Sequence, residues 1–105
     1  MHVLRKKDRG ITDQIEFVCI SDLVPEGHLL RAVNNSIDFS FIYEEVKELY
    51  SEDRGRPSID PVVLIKLIML QALYGIRSMR QTIKEVEVNI AYRWFLGYGL
   101  QEKIP

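Results

Sequence analysis

One cysteine, Cys19, is the only thiol in this 105-residue chain. No intrachain disulfide can brace the fold, and a reducing compartment suits it. Two isolated histidines, His2 and His28, do not combine with that cysteine into a metal-ligating pattern. Gly-x-Ser-x-Gly and His-Glu-x-x-His are both missing, and so is a glycine-rich phosphate loop. There is no internal repeat and no low-complexity tract. No apolar signal-peptide core lies near the start. The longest apolar stretch, 61–74, is broken by Lys66 and Gln71 and falls short of the roughly 20 residues needed to cross a bilayer. These absences exclude a disulfide scaffold, a membrane span and the common hydrolase and nucleotide sites. What remains is one small cytosolic domain with an ordinary apolar fraction of 47%.

The net charge of −1 conceals an uneven distribution. Residues 1–10 carry four basic groups and one acid, residues 11–53 two basic groups and ten acids, and residues 54–105 eight basic groups and four acids. A basic second half suits an anionic partner, and the acidic part should face away from it.

The run from Gly55 to Ser78 organises the chain. Asp60 is placed to cap a helix, Pro61 fits the first helical position, and Gly75 is a stop signal. Fourteen largely apolar residues between those signals predict a helix over 61–74, buried on nearly all sides at the centre of the fold. Before it, residues 1–14 read as a flexible basic arm and Gln14–Ile20 as a short extended segment. Leu30, Val33 and Ile37 mark a helix over about 26–37, with His28 and Arg31 on its outside. Ile42, Val46, Leu49 and Tyr50 mark another over about 41–50. After it, Ser78 and Gln81 form a capping box for a helix to about Val86, and Glu87-Val88 reads as a turn. Asn89 caps a last helix, Ile90 to about Leu96, ended by Gly97. The fold class is therefore all-α, about five helices around the central one.

The last three helices, in series with short turns, suggest a helix-turn-helix-like second half. In such a unit the last helix enters the major groove and the one before it crosses the backbone. Arg77, Arg80 and Lys84 are then candidates for phosphates. Helical periodicity places Ile90, Ala91, Trp94, Phe95 and Tyr98 toward the core. It leaves Asn89, Tyr92, Arg93 and Leu96 on the other side, where Asn89, Tyr92 and Arg93 would approach bases. Arg54-Gly-Arg56-Pro contains the core of a minor-groove-binding hook, which makes Arg54 and Arg56 lesser candidates, although the acids before it and the Asp60 cap after it favour a structural loop.

Several ordered motifs carry a resemblance. Leu23-Val-Pro-Glu-Gly-His-Leu-Leu-Arg31, Ile37-Asp-Phe-Ser-Phe-Ile42, Leu49-Tyr-Ser-Glu52, Gly55-Arg-Pro-Ser-Ile-Asp-Pro61, Tyr74-Gly-Ile-Arg-Ser78 and Ala91-Tyr-Arg-Trp-Phe-Leu-Gly97 occur in collinear order across about residues 15–105. They resemble the N-terminal domain of bacterial insertion-sequence transposases of the InsH-like type. In that family the domain precedes a ribonuclease-H-like catalytic domain whose three acidic residues hold divalent metal ions. The resemblance implies a recognition module, residues 15–105, that binds the terminal inverted repeats of the element in double-stranded DNA. A second copy of the chain is a further candidate partner. None of the acids here matches the catalytic triad. The expectation is therefore a bacterial, cytoplasmic DNA-binding domain without the catalytic domain, its cofactor, a small-molecule substrate or an enzymatic activity of its own. The alternatives are a protein-interaction module and a free-standing helix-turn-helix regulator.

Overall fold

A computed structural model describes residues 10–50 and 59–104, with the side chains of residues 10, 11 and 48–50 outside the description. The arm expected over 1–14 therefore lies largely outside the described residues. Two 3-10 turns, Gly10–Asp13 and Ile20–Leu23, precede five α-helices: α1 Leu29–Ser36, α2 Phe39–Tyr50, α3 Pro61–Leu73, α4 Met79–Val88 and α5 Ile90–Leu96. The all-α expectation is met, and there is no strand among the described residues. Residues 14–19 run between the two turns without a sheet partner.

The helix ends follow from local chemistry. Asp60 Oδ1 accepts the N–H of Val62 at 2.7 Å, and Pro61 opens α3. Gly75 (φ +61°) ends it, with the N–H of Ile76 returning to Gln71 O at 3.0 Å. Ser78 Oγ accepts the N–H of Gln81 at 3.1 Å to start α4. At the end of α5, Gly97 (φ +84°) donates to Trp94 O and Tyr98 donates to Arg93 O, at 3.1 and 2.9 Å. This pair of bonds defines a left-handed glycine stop.

One boundary differs from the sequence expectation. Glu87 and Val88 are helical, and Asn89 alone separates α4 from α5. Asn89 is extended (φ −111°, ψ 113°) and serves both helices. Its N–H closes α4 onto Val86 O at 3.4 Å, and its Oδ1 accepts the N–H of Tyr92 at 3.0 Å to open α5. One residue that caps twice makes a longer turn unnecessary. The joint is tighter than the three or four residues usual in a helix-turn-helix unit.

The centre of the fold also differs. The core combines Leu30 of α1, Leu67 and Leu70 of α3, Val86 of α4, Tyr92, Phe95 and Leu96 of α5, and Ile104. α5 packs against α1, α3, α4 and the Ile20–Leu23 turn, whereas α3 packs against α2, α4 and α5. α3 is apolar all round in composition but open on one side, where Ile68 is 51% and Leu73 41% exposed. The shortest helix is the most enclosed.

Replacing Gly97 by Ala should destabilise the domain by about 1–2 kcal/mol, the cost of holding an L-residue in the left-handed region. A Cβ there meets nothing within 4 Å, so the cost is conformational rather than steric. Gly75→Ala should behave alike, and Gly99→Ala, at a glycine without positive φ, should stay within about 0.5 kcal/mol. Urea unfolding of the three variants checks this.

Candidate nucleic-acid interface

α4 is amphipathic for a simple reason. Met79, Thr82, Ile83 and Val86 recur at helical spacing and turn inward, with Thr82 fully buried and its hydroxyl donating to Ser78 O at 2.9 Å. That stripe fixes the opposite side of the helix toward solvent. Arg80 and Lys84, four residues apart, share one open flank, and Arg77 lies just ahead of the Ser78 cap. All three are exposed. Among the described residues the one ion pair is Lys47–Glu44 on α2 at 2.9 Å, so none of the three is neutralised by a carboxylate contact there. Glu87 falls three residues beyond Lys84 on the same flank, while Glu85 lies on the other and accepts from Gln81 at 3.3 Å. The cluster is therefore basic at its N-terminal end and neutral toward its C-terminal end. The first turn of α4 adds backbone N–H groups without intrahelical carbonyl partners, a favourable end for an anion.

The residues expected to approach bases occupy a different setting. Asn89 holds the α4–α5 joint through its side-chain oxygen. Tyr92 is 6% exposed, its ring 5.1 Å from that of Tyr74, and burial raises its hydroxyl pKa, with Tyr74 and Glu85 adding to the shift. Arg93 is 8% exposed. Its Nε and Nη2 donate to Glu87 O at 3.2 and 3.1 Å, and its Nη1 donates to Gly99 O and Glu102 O at 2.7 and 2.8 Å. Four of the five guanidinium N–H groups are thereby committed to the backbone. The structure buries both sides of α5: Phe95 lies in the core with Ala91, Trp94 and Tyr98 packed against it, as expected, but Tyr92, Arg93 and Leu96, read as outward, also lie inside, and Ile90 is exposed. A seven-residue helix with apolar side chains on both sides offers periodicity little to choose between. Arg54 and Arg56 lie outside the described residues.

Two more cations face inward. Lys66 of α3 donates to Phe95 O at 2.7 Å, and its ammonium lies 4.5 and 5.0 Å from the ring centroids of Phe39 and Phe95. Burial lowers its pKa, against a smaller opposing pull from Asp60. Arg31, expected outside α1, instead donates to the carbonyls of Ser21, Val24 and Pro25 and lies 4.7 Å from the Trp94 ring centroid. Charge counts overstate the basic surface of the second half, because Lys66 and Arg93 serve the interior. Elsewhere an open cleft of about 420 Å³ lies between α2 and the start of α3, lined by Phe39, Ser40, Tyr43, Glu44, Asp60 and Val62. Its two carboxylates make it a poor neighbour for phosphate. Among the described residues no group of three or more His, Cys, Asp and Glu side chains comes together as a metal site. No helix of the described residues is long and apolar enough to cross a membrane.

Five helices, a double-capped joint and one exposed basic helix define a small all-helical domain with a local cationic face. A family model described as "Transposase domain (DUF772)" matches residues 18–105, and the chain belongs to that family. Neither curated proteins nor solved structures provide a match. The family suggests a role in transposition and an interaction with DNA.

Arg93→Ala should cost about 3–5 kcal/mol, because three backbone carbonyls lose a charged donor in a buried site. Arg80→Ala, at an exposed position, should stay within about 0.5 kcal/mol. Chemical unfolding of both variants separates a residue that holds the fold from one that is free to meet a partner.

Proposed function

We propose that this chain is the DNA-binding part of a cytoplasmic transposition protein, and that α4 with Arg77 meets the sugar–phosphate backbone of the transposon ends. The observation that carries the reading is the open flank of Arg77, Arg80 and Lys84, three exposed cations without carboxylate contact among the described residues, in a member of a transposase domain family. Phosphate contacts of this kind give affinity and register, and they act on any duplex. Recognition of the inverted repeats themselves needs contacts to base edges or to DNA shape. A base-reading role has little geometric support at Tyr92 and Arg93, both nearly closed to solvent. The flank of α4 is the better-placed element to lie along a groove.

Fluorescence anisotropy of the 105-residue chain on an inverted-repeat duplex and on a scrambled duplex, titrated with salt, tests this. Binding should weaken steeply with salt. Arg77→Ala, Arg80→Ala and Lys84→Ala should each lower the slope of log K against log [salt] by about 1 and weaken both duplexes alike. Unchanged slopes in all three variants would remove α4 from the interface.

The exposed apolar side of α3 favours a second reading, self-association of the domain. Sedimentation over a range of protein concentrations distinguishes them. A mass that doubles on concentration without any affinity for DNA would favour the interaction module.

A further inference from the structure

The N-terminus of α1 is capped by an imidazole. His28 is extended at φ −66° and ψ 140°, and its Nδ1 accepts the N–H of Leu30 at 3.0 Å. Helix N-caps are ordinarily Ser, Thr, Asp or Asn, whose oxygens remain acceptors around neutral pH. An imidazole nitrogen accepts only while it carries no proton. Once protonated it becomes a donor directed at another donor. Imidazole is also the side chain whose charge ordinarily changes between pH 5 and 8.

We propose that His28 is a pH-operated latch on the first turn of α1: the neutral imidazole closes it, and protonation opens it. Three effects act in the same direction. The cap bond is lost, leaving the Leu30 N–H without its partner. The new positive charge sits at the positive end of the helix dipole. Arg31, three residues on, is already a cation.

What this turn holds is large for its length. Leu30 is fully buried in the core. Arg31 binds the carbonyls of Ser21, Val24 and Pro25 and rests against Trp94 of α5. The first turn of α1 therefore fastens the Ile20–Leu23 turn to α5. The charged groups on the surrounding elements are Asp22 on that turn, Glu26 before the helix, Arg31 on α1 and Arg93 on α5. Arg93 is held by backbone carbonyls. Asp22 and Glu26 are exposed carboxylates. They moderate the cost of an imidazolium, yet they cannot restore an acceptor for Leu30.

The test is thermal unfolding of the full 105-residue chain at pH 7.5 and pH 5.0, wild type against His28→Asn. Asparagine keeps an acceptor oxygen at both pH values, and every other titratable group, His2 included, is common to the two proteins. The fall in Tm between the two pH values should be larger in the wild type by about 4–8 °C, the shift expected from losing one cap in a domain of this size. An equal fall in both proteins would overturn the latch. Should His28→Asn not fold, amide exchange in the wild type decides. Protection at Leu30, corrected for the intrinsic rate, should drop about fivefold between pH 7.5 and pH 5.0. Protection that stays constant across that range would overturn the proposal equally.

Discussion

The guanidinium of Arg93 ties the end of α4 and the irregular segment after α5 to α5 itself. Its donors reach Glu87 O near the end of α4, and Gly99 O and Glu102 O in the segment after α5. That segment is not a helix over any useful length, so its carbonyls have no ladder to satisfy them. A buried carbonyl without a donor is costly, and one arginine can serve several at once. With the segment in place, Ile104 joins the core. Arg31 repeats the device on the α1 side of α5, where it gathers the carbonyls of Ser21, Val24 and Pro25. Lys66 supplies a third tie, from α3 to the last turn of α5. Three interior cations thus do for irregular backbone what hydrogen-bonded ladders do for regular elements.

This use of cations separates what the sequence discloses from what it does not. Caps are local, and they were legible: Asp60, Ser78 and Asn89 each accept the expected N–H, and Gly75 and Gly97 each end a helix. The number and order of helices follow from those signals. The burial of both sides of α5 was not legible, because it depends on α1 and the Ile20–Leu23 turn, far from α5 in sequence, as well as on α3 and α4. A tyrosine, an arginine and a leucine on one side of a short helix read as a polar face. Only the carbonyls of Glu87, Gly99 and Glu102, brought together by the fold, make that side an interior for Arg93. Likewise the apolar run of 61–74 announced a helix and said nothing of which side stays open. Of the basic groups singled out, Arg77, Arg80 and Lys84 are on the surface as their spacing suggested, since α4 has one clear apolar stripe to set its orientation.

The distribution of charge acquires meaning only after the interior cations are set aside. The exposed bases of the described second half sit mainly at one end of α4, while Glu44 and Glu45 lie on α2, on another side of α3. A duplex approaching the domain would be drawn to the α4 end and repelled from α2, so the field favours one orientation over the other. Orientation bias of this sort speeds productive encounters with a polyanion even when net charge is near zero.

The joint at Asn89 has a mechanical consequence. A flexible linker between two helices lets each tilt, and a partner that needs one tilt must freeze out the others. Here the same residue terminates one helix and initiates the next, and the second helix is clamped on several sides. The pair behaves as a rigid bracket: its long arm projects Arg80 and Lys84 at an angle set by the anchored short arm. A ligand meeting that arm encounters a prearranged template, and little of the encounter's free energy goes into ordering it. What the fold fixes is the backbone from which Arg80 and Lys84 extend, one helical turn apart, while their exposed side chains stay free to adjust around it.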